Sequence, residues 1–209
     1  MLKVDKLWEC QSQDEWMQAL DNYWKFVKPT NINLEKELDE LNPDVVKNMN
    51  TDEFYNFLLN KYFKWKYTAP NRYASTTKFF KQYKINGMKS LENIKKNLFS
   101  FNLNNIEEGL RITSEIKGLG IAGASGLLSL LFPKYFGTVD QFVVKALCGI
   151  DDLPQCSIVQ KMNPGSLNLK DGLILIKIMR LKASELNSTF KTETWTPRKI
   201  DMILWTYGR

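Results

Sequence analysis

Two glycines one residue apart, Gly118 and Gly120, stand between an amphipathic run that begins at Ile106 and a run of small and apolar residues from Ile121 to Phe132. A three-residue link between helices needs backbone conformations with positive φ, which glycine adopts without a Cβ clash. The spacing predicts a helix ending at Lys117, a Gly118-Leu119-Gly120 turn, a second helix from Ile121 to Phe132, a stop at Pro133, and a further helix opened by Asp140. The first amides of the second helix have no partner within it and point outward, so the turn can hold an anion.

The second helix starts with Ala122, Gly123, Ala124, Ser125 and Gly126. A glycine inside a helix costs about 1 kcal/mol relative to alanine, so two within one turn predict a neighbour that presses on the backbone.

Ile116-Lys117-Gly118-Leu119-Gly120-Ile121-Ala122-Gly123-Ala124 resembles the helix-hairpin-helix motif, in which hairpin N–H groups clasp a DNA phosphate. Val139-Asp140-Gln141-Phe142-Val143 stands one apolar helix and one loop later. The order hairpin, apolar helix, loop, V-D-x-x-V is similar to that of the helix-hairpin-helix DNA glycosylase superfamily, the endonuclease III-like base-excision enzymes. The close resemblance spans residues 106–147, and a looser one, an all-helical chain with the hairpin near its middle, covers most of the rest.

That resemblance implies an all-α fold of two helical lobes flanking a cleft, a single domain over residues 1–209 with the hairpin motif at 106–132 and a candidate catalytic loop at 133–147. It implies DNA as the partner of a monomer, Asp140 as the catalytic carboxylate, and Lys117, Gly118, Leu119, Gly120, Ala122 and Gly123 as DNA-binding residues. Trp65, Tyr67, Arg72, Tyr73 and Gln141 are the candidates for base-pocket or backbone contacts. The departures are equally specific. Where bifunctional members carry a lysine two residues after the second glycine, this chain has Ala122, so the resemblance implies a monofunctional enzyme that uses water as nucleophile. After the aspartate the family has threonine or serine and then histidine, whereas here stand Gln141 and Phe142. No cysteine lies beyond Cys156, so the iron-sulfur cluster of some relatives has no ligands, and no cofactor is expected.

Breaking an N-glycosidic bond passes through a sugar with oxocarbenium character, which a carboxylate beside C1′ stabilises while it positions or deprotonates water. Asp140 is suited to that. It is equally suited to capping its helix, where a carboxylate contributes about 0.3–1 kcal/mol.

Composition sets outer bounds. With 209 residues, 44% of them hydrophobic, the chain can bury a sizeable core. Lys plus Arg exceed Asp plus Glu by 29 to 23, which suits a polyanionic partner and suits a solvated surface equally. Histidine is absent, which excludes a His-based triad and a zinc site built on imidazole. Cys10, Cys148 and Cys156 are too few and too scattered for a disulfide framework, and no metal site is expected. No apolar stretch has the length of a signal peptide or membrane span, so the chain is expected to be soluble and cytoplasmic, nucleoid-associated if bacterial.

Elsewhere the pattern predicts helices throughout. Ser12 with Glu15 forms a capping box ahead of Trp16, Ala19, Leu20 and Tyr23, and Pro29 ends that helix. Asn33 or Asn42 caps short helices, and a helix from Thr51 leads into Trp65-Lys66-Tyr67, whose aromatics either stack on a base or pack in the core while Lys66 and Arg72 meet phosphates. Helices are expected over Tyr73 to Tyr83, after a Ser90 cap, over Leu169 to Leu186, and from Thr196-Pro197 to Tyr207, with a loop or a pair of short turns from Cys148 to Asn168. Lys78, Lys81, Lys84, Lys89, Lys95 and Lys96 form a solvated face or a phosphate-tracking stripe. Arg198 and Asp201, three apart, are expected to pair for structural reasons. Two further functions stay open beside the glycosylase: a non-catalytic helix-hairpin-helix module for abasic, nicked or bent DNA, and a helical scaffold with a protein partner.

Overall fold

A computed structural model describes residues 2–209, and every regular element among them is helical. The all-α class expected from the sequence is what the chain adopts. In order come α1 (Val4–Trp8) and α2 (Gln13–Phe26), whose first turn is capped by Ser12 Oγ accepting from the Glu15 amide at 3.5 Å. A 3₁₀ turn at Pro29–Asn31 leads into α3 (Ile32–Asp39), and Asn42 caps α4 (Pro43–Asn48). Asn33, the other expected cap, lies inside α3.

The next three elements make a long rod: α5 (Thr51–Phe57), a π-helical turn at Leu58–Tyr62, and α6 (Phe63–Lys66) run on without a break. Asn50 and Glu53 open it with a reciprocal capping box that satisfies two amides at once. The single helix expected over Tyr73 to Tyr83 is instead α7 (Pro70–Phe80) and α8 (Gln82–Asn86), separated at Lys81. The bend aims Tyr83 at the hairpin, where its hydroxyl donates to the Glu115 carbonyl at 3.4 Å and accepts from the Lys117 amide at 3.1 Å. Next comes α9 (Lys89–Leu98), which starts ahead of Ser90, with no side-chain cap from Met88.

The hairpin pair is α10 (Ile106–Ser114) and α11 (Ile121–Leu131). α10 stops short of Lys117 because Glu115, Ile116 and Leu119 donate to carbonyls three residues back, a tighter winding that carries Ile116 and Leu119 into the core. Then come α12 (Gln141–Leu147), a single turn α13 (Cys156–Val159) inside the expected loop, α14 (Leu169–Phe190), which runs past Leu186, and α15 (Pro197–Gly208). Thr196 caps α15 with Pro197 in its first turn, as the sequence predicts.

α11 is the centre of the molecule. Every residue from Gly123 to Leu131 is buried, as a helix apolar on all sides must be. It packs on α10, α14 and α15, and the rod crosses its small-residue end. The neighbour expected to press on Gly123 and Gly126 is therefore internal: a Cβ on Gly123 would come 2.5 Å from the Tyr67 hydroxyl, and one on Gly126 2.9 Å from that of Tyr62. α2, from the N-terminal part of the chain, packs against α15 from the C-terminal part.

Candidate functional site

The loop between α11 and α12 is fastened from α11, α14 and α15, with Arg180 Nε of α14 donating to the Tyr135 carbonyl at 2.5 Å. Ser125 Oγ accepts from the Val139 amide at 2.9 Å, and Ser129 Oγ shares a hydrogen bond with Thr138 Oγ1 at 2.9 Å. From α15, Asp201 Oδ2 accepts from the Thr138 amide at 2.6 Å, and the Arg198 amide donates to the Pro133 carbonyl at 3.4 Å. This clamped loop delivers Asp140 at its far end. Asp140 Oδ1 accepts from the Phe142 and Val143 amides at 2.9 and 3.2 Å, capping α12, while Oδ2 faces Lys66 Nζ at 4.0 Å. Capping and presentation to solvent are thus done by different oxygens of one carboxylate.

Asp140 opens on a cavity of about 290 Å³ whose walls include Glu35, Trp65, Lys66, Arg198 and Asp201. This is close to the lower end, about 300 Å³, of ordinary small-ligand pockets. One wall is a hydrogen-bonded network, complete except for the buried Arg198 Nε, which lies 4.0 Å from Asp39 Oδ1 and makes no hydrogen bond among the described residues. Glu35 Oε1 accepts from the Tyr23 hydroxyl and from Arg198 Nη2 at 3.1 Å, and Oε2 accepts from the Trp65 indole N–H at 2.6 Å. Arg198 Nη1 donates to Asp201 Oδ1 at 2.9 Å, the pair expected from the sequence. Burial disfavours the Arg198 charge, but Asp201, Tyr23, Glu35 and Asp39 together hold its pKa above the ordinary value. Burial also pushes the Tyr23 hydroxyl far up and the Asp201 carboxyl up to about 7, the latter against the pull of Arg198 and the Thr138 amide.

The Lys66 side of the cavity is less complete. The Lys66 side chain is only 10% exposed, yet no hydrogen bond reaches its ammonium among the described residues. Its Nζ lies 6.0 Å from the Trp65 ring centre. Burial lowers its pKa below the usual lysine value, and Asp140 offsets this only in part.

The expected site residues divide between three places. Trp65 and Asp140 line the cavity. Tyr67 and Tyr73 line an adjoining open groove of about 380 Å³, which shares Lys28, Asn31 and Thr68 with the cavity. Tyr67 also donates to the Gly118 carbonyl at 3.4 Å, and burial raises its hydroxyl to about 12. Arg72 is exposed on α7 and Gln141 is exposed on α12, and neither lines the cavity; Phe142 and Val143 do. Lys66, expected to meet phosphates, turns inward to Asp140.

At the hairpin, only Gly118 has positive φ, +90°, and a Cβ there would collide with the Thr76 carbonyl. Gly120 has φ −90° and ψ −172°, an extended conformation open to any residue, and a Cβ on it would meet nothing within 4 Å. The expectation of positive φ therefore holds for one glycine of the two. The Lys117 amide is taken by Tyr83 and the Leu119 amide by the Ile116 carbonyl, whereas the amides of Gly120, Ile121, Ala122 and Gly123 find no acceptor among the described residues. The Leu119 side chain is buried, and the Lys117 ammonium lies 5.1 Å from the Tyr83 ring centre.

The lysine face of α7 to α9 is mainly solvated, except that Lys84 pairs with Asp52 and half-buried Lys95 donates to the carbonyls of Lys47, at 2.6 Å, and Met49. Among the described residues, no group of three or more His, Cys, Asp or Glu could hold a metal, and no helix is long and apolar enough to cross a membrane. Compared with family models, curated proteins and solved structures, the chain matches none.

Proposed function

We propose that the protein is a helix-hairpin-helix DNA glycosylase that hydrolyses the N-glycosidic bond of a damaged or modified base, with Asp140 as its catalytic carboxylate. The observation that carries this reading is the double engagement of α11. Its first turn presents unpaired amides at the hairpin, and its Ser125 and Ser129 hold the loop that delivers Asp140 Oδ2 to the cavity. Anchoring of a backbone phosphate and supply of a carboxylate are thereby built on one rigid helix.

Gly120 adds a second support. Nothing among the described residues requires glycine there, but a phosphate approaching the backbone does. The cavity is lined by residues of α2, α3, α6, α12, α15 and the Asp140 loop, which bring distant parts of the chain to one opening. An extruded nucleotide entering it would bring C1′ toward Oδ2, where the carboxylate stabilises the oxocarbenium-like sugar and orients water. Extrusion costs a few kcal/mol, least for a base whose pairing is already weakened by damage.

A non-catalytic module for abasic, nicked or bent DNA is favoured by one observation: both Asp140 oxygens already have partners within the protein, Oδ1 in the α12 cap and Oδ2 facing Lys66 Nζ at 4.0 Å. One experiment separates the two. The protein and Asp140→Asn are incubated with alkylated, oxidised and deaminated genomic DNA, and released bases are identified by mass spectrometry. Release by the parent and not by the variant supports the glycosylase and names its base. Binding without release, equal in both, overturns it.

A further inference from the structure

We infer that Lys66 is a second catalytic group, an amine that captures C1′ of the base-free sugar beside Asp140 and cuts the strand through an imine. This rests on the glycosylase reading for the identity of the cavity's substrate.

Three observations bear on it. Lys66 reaches the same cavity as Asp140, at 4.0 Å from its free oxygen, so a carbon held against one is within reach of the other. The amine is nearly buried but, among the described residues, donates no hydrogen bond that would fix it as a structural strut, in contrast to Arg198, whose two terminal nitrogens donate to Asp201 and Glu35. It comes from the rod and not from the hairpin, so Ala122, which removes a nucleophile from α11, leaves this one in place. A desolvated amine loses its proton more readily than one in water, which makes it a better nucleophile at neutral pH.

The chemistry closes without a further reagent. The base-free sugar opens to an aldehyde at C1′. The neutral Lys66 nitrogen forms a bond to C1′ as the carbonyl pair moves to oxygen, which is protonated and leaves as water, giving a protonated imine. Asp140 Oδ2 is placed to accept the proton that nitrogen gives up. Water takes a proton from C2′, the electron pair left behind forms the C2′=C3′ double bond, and the C3′–O bond breaks with the phosphate as leaving group. Water hydrolyses the imine, restores the amine, and releases an unsaturated aldehyde end and a 5′-phosphate end.

The test uses the full chain and a duplex with one preformed abasic site, mixed in sodium borohydride, which reduces an imine to a stable amine. A covalent protein–DNA adduct is expected, and digestion with mass spectrometry should map it to Lys66. Lys66→Arg, which keeps the charge beside Asp140 but not the nucleophile, should lose both adduct and strand cleavage, and circular dichroism checks that it folds. Absence of an adduct in the parent, an adduct on another amine, or full trapping by folded Lys66→Arg would overturn the inference. Base release is measured in parallel on lesion-bearing DNA. Release without an adduct removes the role of Lys66 and leaves the glycosylase standing, whereas an adduct at Lys66 without release supports the amine and counts against the glycosylase.

Discussion

Arg198 and Lys66 both bring buried positive charge to one cavity, but Arg198 meets Asp201 at 2.9 Å and Glu35 at 3.1 Å, whereas Lys66 comes no closer than 4.0 Å to Asp140. The first charge is locked by carboxylates that are themselves locked, Glu35 by Tyr23 and Trp65, and Asp201 by the Thr138 amide. The second has one loose partner and an open side. A buried charge is tolerated when its surroundings satisfy it, so the incomplete wall is the one whose groups are free to meet something else. The Arg198 network holds the loop, and the Lys66–Asp140 side is the one left open to a ligand.

Asp140→Asn tests the second half of that contrast most severely. Asparagine still caps a helix, so the thermal midpoint should stay close to the parent's, while single-turnover base release falls by about 10²–10⁴-fold. A rate within a factor of two of the parent would break the distinction between the walls. On the Arg198 side, Glu35→Ala strands Arg198, Tyr23 and Trp65, and urea unfolding should show a loss of about 3–5 kcal/mol. A loss below 1 kcal/mol would mean that the network is not what fastens this wall.

The pH dependence of borohydride trapping sharpens the comparison. Lys66 is faced by Asp140, Asp201, Arg198 and Glu35, and burial wins over the carboxylates, so its pKa lies below the ordinary lysine value. A lowered pKa leaves more neutral amine at any given pH, and trapping should rise with pH through an inflection below that of a free lysine. An inflection at the ordinary value, about 10.4, would place the reacting amine in solvent. The hairpin glycines form a smaller version of the same contrast. Gly118→Ala must hold a left-handed conformation and displace the Thr76 carbonyl, at a cost of about 1–3 kcal/mol. Gly120→Ala should change stability by no more than about 0.5 kcal/mol. Its expected effect is weaker binding to an abasic duplex, measured by fluorescence anisotropy.

Much of the fold is legible because local signals sit at helix starts. Thr196-Pro197, Asn42-Pro43 and Ser12 each mark a first turn that the chain adopts, and the small residues of α11 correctly announce a close neighbour. Boundaries decided by tertiary contacts are not legible: Tyr83 turns toward the hairpin, and that bend divides one expected helix into α7 and α8. Within the site, Asp140 is visible through its distance from the hairpin. Glu35 is hidden in a charged stretch, Glu-Lys-Glu-Leu-Asp-Glu, that looks like a solvated face, and only contact with Tyr23, Trp65 and Arg198 distinguishes it from Glu37. Ser125 and Ser129 register in sequence as small residues, not as the hydrogen-bonding posts of a loop.

Lys66 is hidden for a geometric reason that lies in the π-helical turn at Leu58–Tyr62. Each residue of an α-helix advances about 100° around the axis, and a π turn takes in one residue more than an α turn spans. Wound as plain α-helix, the same sequence would carry everything after Tyr62 about 100° around, taking Trp65 and Lys66 away from the cavity. The wide turn works as an expansion joint that absorbs a surplus residue and leaves the far end of the rod correctly aimed. A chain with one residue deleted between Leu58 and Tyr62 can close that joint as ordinary α-helix and still point its lysine at Asp140, whereas the same deletion inside α6 would turn the lysine aside.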